Sequence, residues 1–232
     1  MLTLVLLPGM DGTSHLFLPF TAALNPGVRV RTVSYPVDEP LGYEALASIA
    51  RSVLPPDEPF ILLGESFSGP IAVMLAAEGH AQLKGLVLCC TFVRNPLPWL
   101  ARLRALIGVL PFGGAPLWVM DHLLLGKFAT QSLRAALALA VGQVAPGVMR
   151  ARLRAVVAVD VAAQFGNVRV PCLYLQAAHD RLVPPEAASL IAALKPDTQV
   201  VRVNAPHCLL QAAPADAAAA VEEFSRQVQR AG

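Results

Sequence analysis

The sequence predicts an α/β fold in which a sheet of about six mostly parallel strands carries helices on both faces. Short runs of β-branched and aliphatic residues alternate with longer helical patterns along most of the 232 residues. The strand-like runs are hydrophobic almost without interruption, as in parallel strands that helices cover on both sides. Because 55% of the residues are hydrophobic and 15% are charged, we expect a packed core and no extensive disorder.

Each predicted strand is an apolar run of strand length, and each predicted helix is a longer stretch that separates two such runs. The run at Thr3–Leu7 lacks the basic start and the cleavage site of a signal peptide, so we interpret it as the first strand. The predicted strands are at about Thr3–Leu7, Val28–Tyr35, Phe60–Leu63, Gly85–Cys90, Val170–Ala177 and Thr198–Val203. The predicted helices are around 15–24, 43–54, 70–79, 185–194 and 214–229, the last of them rich in alanine.

The alternation stops between Phe92 and Gly166, where the chain becomes rich in leucine and alanine and prolines divide it into short helical pieces. This stretch holds eight lysine and arginine residues against two aspartates, which sets it apart from the rest of the chain. We therefore predict a core formed by residues 1–91 and 167–232, with a helical cap at 92–166 inserted between the fourth and fifth strands.

The most informative local feature is the point within residues 60–70 where an apolar run stops at Ser66 and an alanine-rich helix follows. Gly64 and Ser68 stand two residues before and after this serine. A serine is exposed on such a sharp strand-to-helix turn only if its neighbours are small enough for the crowded backbone. The pattern predicts a nucleophile elbow with Ser66 as the nucleophile. Ser68 is the alternative, but Pro70 would then occupy a position that requires a small residue.

A nucleophilic serine requires a base that takes its proton and a carboxylate that orients the base. Asp180 ends a clear strand, and His207 follows the final strand. Groups at the carboxyl ends of parallel strands meet at one edge of the sheet. We therefore predict Ser66, Asp180 and His207 as the catalytic residues. His179 is the competing histidine, but neighbours on an extended chain point apart, which favours a loop position for it.

The loop after the first strand, residues 8–13, is the predicted second half of the site. Gly9 and Gly12 allow backbone conformations that other residues resist. We expect the oxyanion hole to consist of the backbone N–H groups of Met10 in this loop and of Phe67 directly after the nucleophile.

Four motifs at these positions resemble the α/β-hydrolase superfamily, and together they cover the predicted sheet. They are Pro-Gly-Met-Asp-Gly-Thr (8–13), Gly-Glu-Ser-Phe-Ser-Gly (64–69), His-Asp-Arg-Leu-Val-Pro (179–184) and Pro-His-Cys-Leu-Leu (206–210). The first two are similar to a branch that includes bacterial carboxylesterases and the hydrolase domain of plant phytyl ester synthases. The capped layout is also similar to pimeloyl-carrier-protein methyl ester esterases. The resemblance implies a minimal α/β-hydrolase fold and a small capped serine esterase.

The chain departs from the family pattern in three places. Pro8 replaces the usual histidine before Gly9, and Ser68 replaces a glycine of the elbow. The chain also opens at what the family counts as its third strand, without the usual initial hairpin. This last departure predicts a six-stranded, all-parallel sheet.

These residues predict a serine hydrolase that cleaves carboxylic esters with an apolar acyl or alcohol group and needs no metal or other cofactor. The cap supplies Trp99, Trp118 and Met120 as expected substrate-binding residues. One alternative is an acyltransferase or thioesterase with the same three catalytic residues, acting on a chain attached to a carrier protein. Another is a family member that binds a ligand without catalysis.

The expected partner is a small-molecule ester. The basic excess of the cap also fits an acidic carrier protein or an anionic lipid surface, although its pattern favours the solvated faces of amphipathic helices. No nucleic-acid motif is present. No apolar stretch approaches the ~20 residues that span a bilayer, so there is no transmembrane segment to expect. With no signal peptide recognised, the expected location is the cytoplasm.

Overall fold

One sheet of six strands forms the centre of the computed structural model, which describes residues 2–98 and 117–231. The strands are β1 (Thr3–Leu7), β2 (Arg29–Thr32), β3 (Phe60–Glu65), β4 (Leu83–Cys89), β5 (Cys172–Ala177) and β6 (Gln199–Val203). Their spatial order is β2-β1-β3-β4-β5-β6, and all five pairings between them are parallel. The predicted α/β fold with a six-stranded parallel sheet is confirmed.

The helices alternate with these strands except between β4 and β5. The α-helices in the described residues are α1 (Leu18–Ala23), α2 (Tyr43–Val53), α3 (Gly69–Ala77), α4 (Leu117–Met120), α5 (Gln131–Gly142), α6 (Pro146–Ala158), α7 (Ala162–Gly166), α8 (Pro185–Leu194), α9 (Leu209–Ala212) and α10 (Pro214–Ala231). Short 3₁₀ turns at His15–Phe17, Ser66–Ser68 and Gly126–Phe128, and a π-helical turn at Asp121–Leu125, complete the set.

Both faces of the sheet are buried at the four central strands, which explains why these strands are mostly hydrophobic, whereas the edge strands β2 and β6 are mostly exposed. Because successive side chains of a strand point to opposite faces, Leu62 and Leu63 belong to two different core clusters. Helices α2, α3, α7 and α8 contribute to the cluster on one face. Helices α1, α9 and α10 contribute to the cluster on the other.

The parallel arrangement brings the loops that follow β1, β3, β5 and β6 to the same edge of the sheet. β3 lies between β1 and β4, with Leu7 paired to Gly64 and Glu65 paired to Cys89. β5 and β6 pair up to Ala177 and Val203, so their loops leave the sheet side by side.

Residues 92–166, which we call the insertion, leave the sheet after β4 and return before β5. Within the described part, the insertion is helical from Leu117 to Gly166 apart from short connections. Its two ends are held together, because Arg94 and Asp160 form an antiparallel bridge and their side chains form an ion pair with a 2.8 Å distance between Nε and Oδ2.

None of the helices in the described ranges is by itself long and apolar enough to cross a membrane. Helices α5 and α6 reach the required length only when they are taken together, and the angle between them is 97°.

Candidate active site

Ser66 lies on the turn between β3 and α3, at the edge of the sheet where the loops gather. Its φ angle is +48°, in the left-handed region that non-glycine residues rarely adopt. The turn is tight enough to require glycine before it: a Cβ atom at Gly64 would lie 2.7 Å from the Cβ of Ala72 and 2.8 Å from the carbonyl oxygen of Ser68. This strained serine between a strand and a helix has the geometry of a nucleophile elbow.

Ser68 is completely buried and binds the neighbouring loop. Its hydroxyl donates to the carbonyl oxygen of Pro8 and lies 3.0 Å from the hydroxyl of Tyr35. A serine at this position therefore ties the elbow to the loop after β1, which a glycine could not do.

The three side chains predicted for catalysis form one hydrogen-bonded chain. The hydroxyl of Ser66 lies 2.8 Å from Nε2 of His207. On the other side of the ring, Nδ1 lies 2.8 Å from Oδ2 and 3.0 Å from Oδ1 of Asp180. In the tautomer that satisfies both contacts, Nδ1–H donates to the carboxylate and Nε2 accepts from the serine.

Asp180 follows β5 and is held by its own loop. The backbone N–H groups of Leu182 and Val183 donate to its Oδ1 at 2.8 and 2.9 Å, which fixes the carboxylate toward the histidine. Its side chain is 7% exposed and that of His207 is 6% exposed, so little water competes for their contact. The competing His179 points elsewhere, with its Nε2 3.0 Å from Oδ1 of Asn204.

The loop of residues 8–13 lies against the elbow. Gly12 adopts a φ of +71° and donates its N–H to the carbonyl oxygen of Gly9 at 3.0 Å, which closes a tight turn around Met10. Met10 and Ser66 both line the cavity described below. The side chain of Phe67 is 1% exposed and stacks on Tyr43, which leaves its backbone at the start of the turn that follows the serine.

Arg152 is the residue at this site that the sequence did not reveal. It lies on α6 of the insertion, yet it is 1% exposed. Its Nη1 donates to the carbonyl oxygen of Met10 and its Nη2 to that of Pro36, both at 2.8 Å. The guanidinium fills the space beside Gly12, where a Cβ would lie 2.6 Å from Nη1. The insertion therefore reaches under the loop that carries Met10 and holds it by its backbone.

Glu65, the residue directly before Ser66, is also titratable and is 6% exposed. Burial raises the pKa of its carboxyl to about 7, although the hydrogen bond from Nε2 of Gln211 acts in the opposite direction. Burial also raises the pKa of Asp11, whose Oδ2 accepts bonds from the N–H and the hydroxyl of Thr13. A fraction of the molecules therefore carries a neutral Glu65 near pH 7.

Ser66 and His207 open onto an apolar cavity of about 220 Å³, which we call the catalytic cavity. The insertion supplies much of its lining, including Val119, Met120, Leu124 and Leu137. Glu65, Asp11 and Gln211 are buried and also line this cavity.

The three side chains predicted to bind substrate have different positions. Met120 lines the catalytic cavity. Trp118 does not line it, because this side chain points outward and is 72% exposed, while the adjacent Val119 points inward. Trp118 is therefore outside the lining of this cavity, and its role in substrate binding stays a prediction. Trp99 lies outside the described residues.

The structure offers little for a metal ion. In the ranges 2–98 and 117–231, histidine, cysteine and carboxylate side chains form no cluster that could hold one. Cys89, Cys90, Cys172 and Cys208 are free and buried, and burial raises the pKa of each thiol.

Comparison with known proteins gives both sequence and structural matches. Phytyl ester synthase 1 (chloroplastic) of Arabidopsis thaliana is 34% identical over 104 residues, which make up 41% of this chain and only 15% of the plant protein. A thermophilic esterase from Thermogutta terrifontis has a TM-score of 0.80 at 22% identity, with 98% of this chain and 89% of the esterase covered. MenH from S. aureus has a TM-score of 0.80 at 18% identity, with 98% and 94% covered.

The two solved structures share the fold with this protein, and the plant enzyme shares part of its sequence. The sequence model of the Alpha/beta hydrolase family matches residues 4–221, which is nearly the whole chain. With the sheet, the elbow and this match together, the chain belongs to the α/β hydrolase family.

Proposed function

We propose that this protein is a serine hydrolase that cleaves carboxylic esters with an apolar acyl or alcohol group. Its family supports hydrolase activity in general. The observation that carries the finer proposal is the hydrogen-bonded chain from Ser66 through His207 to Asp180, which opens onto an apolar cavity.

In the proposed first step, His207 takes the proton of the Ser66 hydroxyl through Nε2, and the serine oxygen attacks the carbonyl carbon of the ester. The bond from this carbon to the alcohol oxygen breaks, and His207 returns the proton to the leaving alcohol. In the second step, His207 takes a proton from water, and the water oxygen attacks the acyl carbon. The bond from this carbon to the Ser66 oxygen breaks, His207 returns the proton to Ser66, and the acid is released. Asp180 keeps the ring in the required tautomer throughout and stabilises its positive charge.

The oxyanion that forms in each step needs hydrogen-bond donors that are already in position. We propose the N–H groups of Met10 and Phe67 for this role. Loss of one such donor costs about 2.7–4 kcal/mol of transition-state stabilisation. Rigid support of the loop that carries Met10 by Ser68 and Arg152 fits this role, since a mobile loop would lose much of that energy.

Covalent labelling of Ser66 tests the proposal. A fluorophosphonate probe should modify the wild-type protein at Ser66, and 4-nitrophenyl butyrate should be hydrolysed. In Ser66→Ala both reactions should disappear, with kcat reduced about 10⁴-fold or more. Ser189→Ala is the matched control, because Ser189 is an exposed serine on α8 whose hydroxyl donates a hydrogen bond to the carbonyl oxygen of Pro185. Labelling that persists in Ser66→Ala would show that the nucleophile is another residue.

A second candidate function is acyl transfer to an alcohol instead of water. The likeness to a plant protein named as an ester synthase favours it, as does the low exposure of His207 and Asp180. Incubation of an acyl donor with alcohols of increasing length distinguishes the two, because an acyltransferase yields more ester than free acid.

A further inference from the structure

A second apolar cavity, of about 240 Å³, adjoins the catalytic cavity beside helix α5. Most of its lining consists of leucine, proline and alanine side chains. The polar members are His15, Ser132 and Gln211, and there is no aspartate, glutamate, lysine or arginine. Leu18, Leu133 and Ala136 line this second cavity and are absent from the lining of the catalytic cavity. Such a surface favours a hydrocarbon chain over a charged or strongly hydrated group.

The two cavities share a wall, formed by four residues that line both of them. These residues are Leu16, Leu137, Cys208 and Gln211. Cys208, which lines the second cavity, directly follows the proposed base His207 in the chain, so the second cavity lies beside the proposed reaction site. Leu137 and Cys208 belong to a small hydrophobic cluster between the insertion and the core, separate from the two main clusters.

The two sides of this wall differ in how firmly they are held. Gln211 donates to Oε1 of Glu65 at 3.0 Å and to the carbonyl oxygen of Leu16 at 3.2 Å, so it is fixed by hydrogen bonds. The side chain of Leu137 has only apolar neighbours in its cluster. A change of rotamer at Leu137, which lines both cavities, therefore breaks no hydrogen bond.

The far side of the second cavity reaches the protein surface. Leu18 lines it and is 67% exposed, which is unusual for a large aliphatic side chain beside a cavity. Ala136 is also exposed and lines the same cavity from α5. A chain that fills the second cavity therefore has room to end near solvent.

We propose that the second cavity is a subsite for the distal part of a long, unbranched hydrocarbon chain of the ester substrate, whose carbonyl carbon lies at Ser66. The inference rests on the proposed esterase function. Burial of each further methylene group contributes about a fourfold gain in kcat/KM. In the wild-type protein kcat/KM should therefore continue to rise with chain length after the catalytic cavity is full.

Filling the second cavity from its exposed side tests the proposal. Ala136→Phe places a ring there without altering a buried position, and Ala135→Phe makes the same change at an adjacent exposed residue that lines neither cavity. The substrates are 4-nitrophenyl esters with acyl chains of increasing length and alkyl acetates with alcohol chains of increasing length, all below their critical micelle concentrations.

In Ala136→Phe, the ratio of kcat/KM for the longest chains to that for the shortest should fall at least tenfold, and the profile of Ala135→Phe should match the wild type. A fall in one series alone assigns the subsite to the acyl or to the alcohol chain. The subsite is ruled out if the ratio in Ala136→Phe equals the wild-type ratio in both series. Failure of the proposed function has a different signature, since the wild-type protein would then hydrolyse none of these esters and Ser66 would remain unlabelled.

Discussion

Arg152 carries a charge that is almost wholly removed from water, and such a charge is tolerated only when it is well bonded. Two carbonyl oxygens accept from its guanidinium, and the ring of Tyr35 lies 5.9 Å from its Cζ. Its Nε is buried and has no partner among the described residues. Burial lowers the pKa of Arg152, and the nearby charge of Asp11 acts against that shift. The residue is costly to bury, which indicates that its contacts with the loop serve the site.

Replacing Arg152 with lysine tests this interpretation. A lysine has a single ammonium group and cannot reach the carbonyl oxygens of Met10 and Pro36 with the geometry of a guanidinium fork. We expect Arg152→Lys to lower kcat for 4-nitrophenyl butyrate at least tenfold with little change in KM, because the proposed oxyanion donor, the N–H of Met10, would be displaced and would act mainly in the transition state. Steady-state kinetics measure this effect, with kcat calculated per folded molecule and the folded fraction obtained from thermal unfolding.

Arg154→Lys provides the control, since Arg154 is exposed on the same helix two residues further along. Its kinetic constants should equal those of the wild type. An Arg152→Lys protein with an unchanged kcat, or with only a raised KM, would contradict the role in positioning the loop.

At the scale of elements, the elbow depends on how closely α3 approaches the loop after β4. A Cβ at Gly69 would lie 1.9 Å from Oγ1 and 2.7 Å from Cβ of Thr91, a residue with no exposed surface. Thr91 in turn donates its hydroxyl to the carbonyl oxygen of Ser66 and accepts from Tyr174 through its own carbonyl oxygen at 2.8 Å. The start of α3, the elbow and the loop after β4 therefore form one packed unit.

Gly69→Ala should separate these elements. Because Thr91 has no space to move into, we expect the free energy of unfolding to fall by about 1–3 kcal/mol and esterase activity to fall with it. Urea denaturation measures the free energy of unfolding, and initial rates of ester hydrolysis measure the activity. Gly147→Ala in α6 is the control, since an added Cβ meets nothing within 4 Å there, and this variant should be as stable as the wild type or slightly more so. Equal stability of the two variants would show that the packing at Gly69 is looser than its distances indicate.

Elements with a strong pattern could be predicted from the sequence. β1 has the predicted bounds, and the bounds of β3 and β5 are within two residues of the predicted ones, because these strands are buried on both faces and are mostly hydrophobic. β2, at the edge of the sheet, is shorter than predicted, Arg29–Thr32 instead of Val28–Tyr35. Beyond its end Val33 and Tyr35 are buried, and the N–H of Tyr35 donates to the carbonyl oxygen of Gly12 in the loop after β1, so an apolar pattern alone could not mark where the strand stops. The orientation of α4 could not be predicted, since a Leu-Trp-Val-Met turn is apolar on every side and gives no sign that Trp118 points outward.

The site was predictable as far as it depends on chain order and strand ends. Ser66, Asp180 and His207 each follow a strand, and parallel strands bring such positions together. Arg152 gave no such signal, because an arginine in a helix with Arg150 and Arg154 nearby has the pattern of a solvated face. Arg152 is buried because the insertion packs against the loop of residues 8–13, and this packing cannot be read from the sequence. The basic excess of the insertion is also reduced at the surface, since Arg94 and Arg134 form ion pairs with Asp160 and Asp121.

Stability of the whole molecule should depend on pH through the buried carboxyl groups of the site. The pKa of Glu65 rises from an ordinary value of 4.5 to about 7 in the folded protein, and that of Asp11 is also raised. Between these pH values the folded chain holds the Glu65 proton more tightly than the unfolded chain. The stabilisation of the folded state by this proton is therefore fully present below pH 4.5 and is lost as the pH rises through 7. The shift corresponds to about 3 kcal/mol for Glu65.

The variant Glu65→Gln isolates this contribution, because glutamine has nearly the same shape, accepts the hydrogen bond from Gln211 and does not ionise. Urea unfolding at several pH values should show that the variant gains about 3 kcal/mol relative to the wild type between pH 4.5 and 7.5. Glu186→Gln, at an exposed position in the first turn of α8, should follow the wild-type curve throughout. If the free energy of unfolding depends on pH in the same way for Glu65→Gln and the wild type, the proton on Glu65 is not linked to folding. The negative charge of Glu65 would then be stabilised by a group other than those that contact it here.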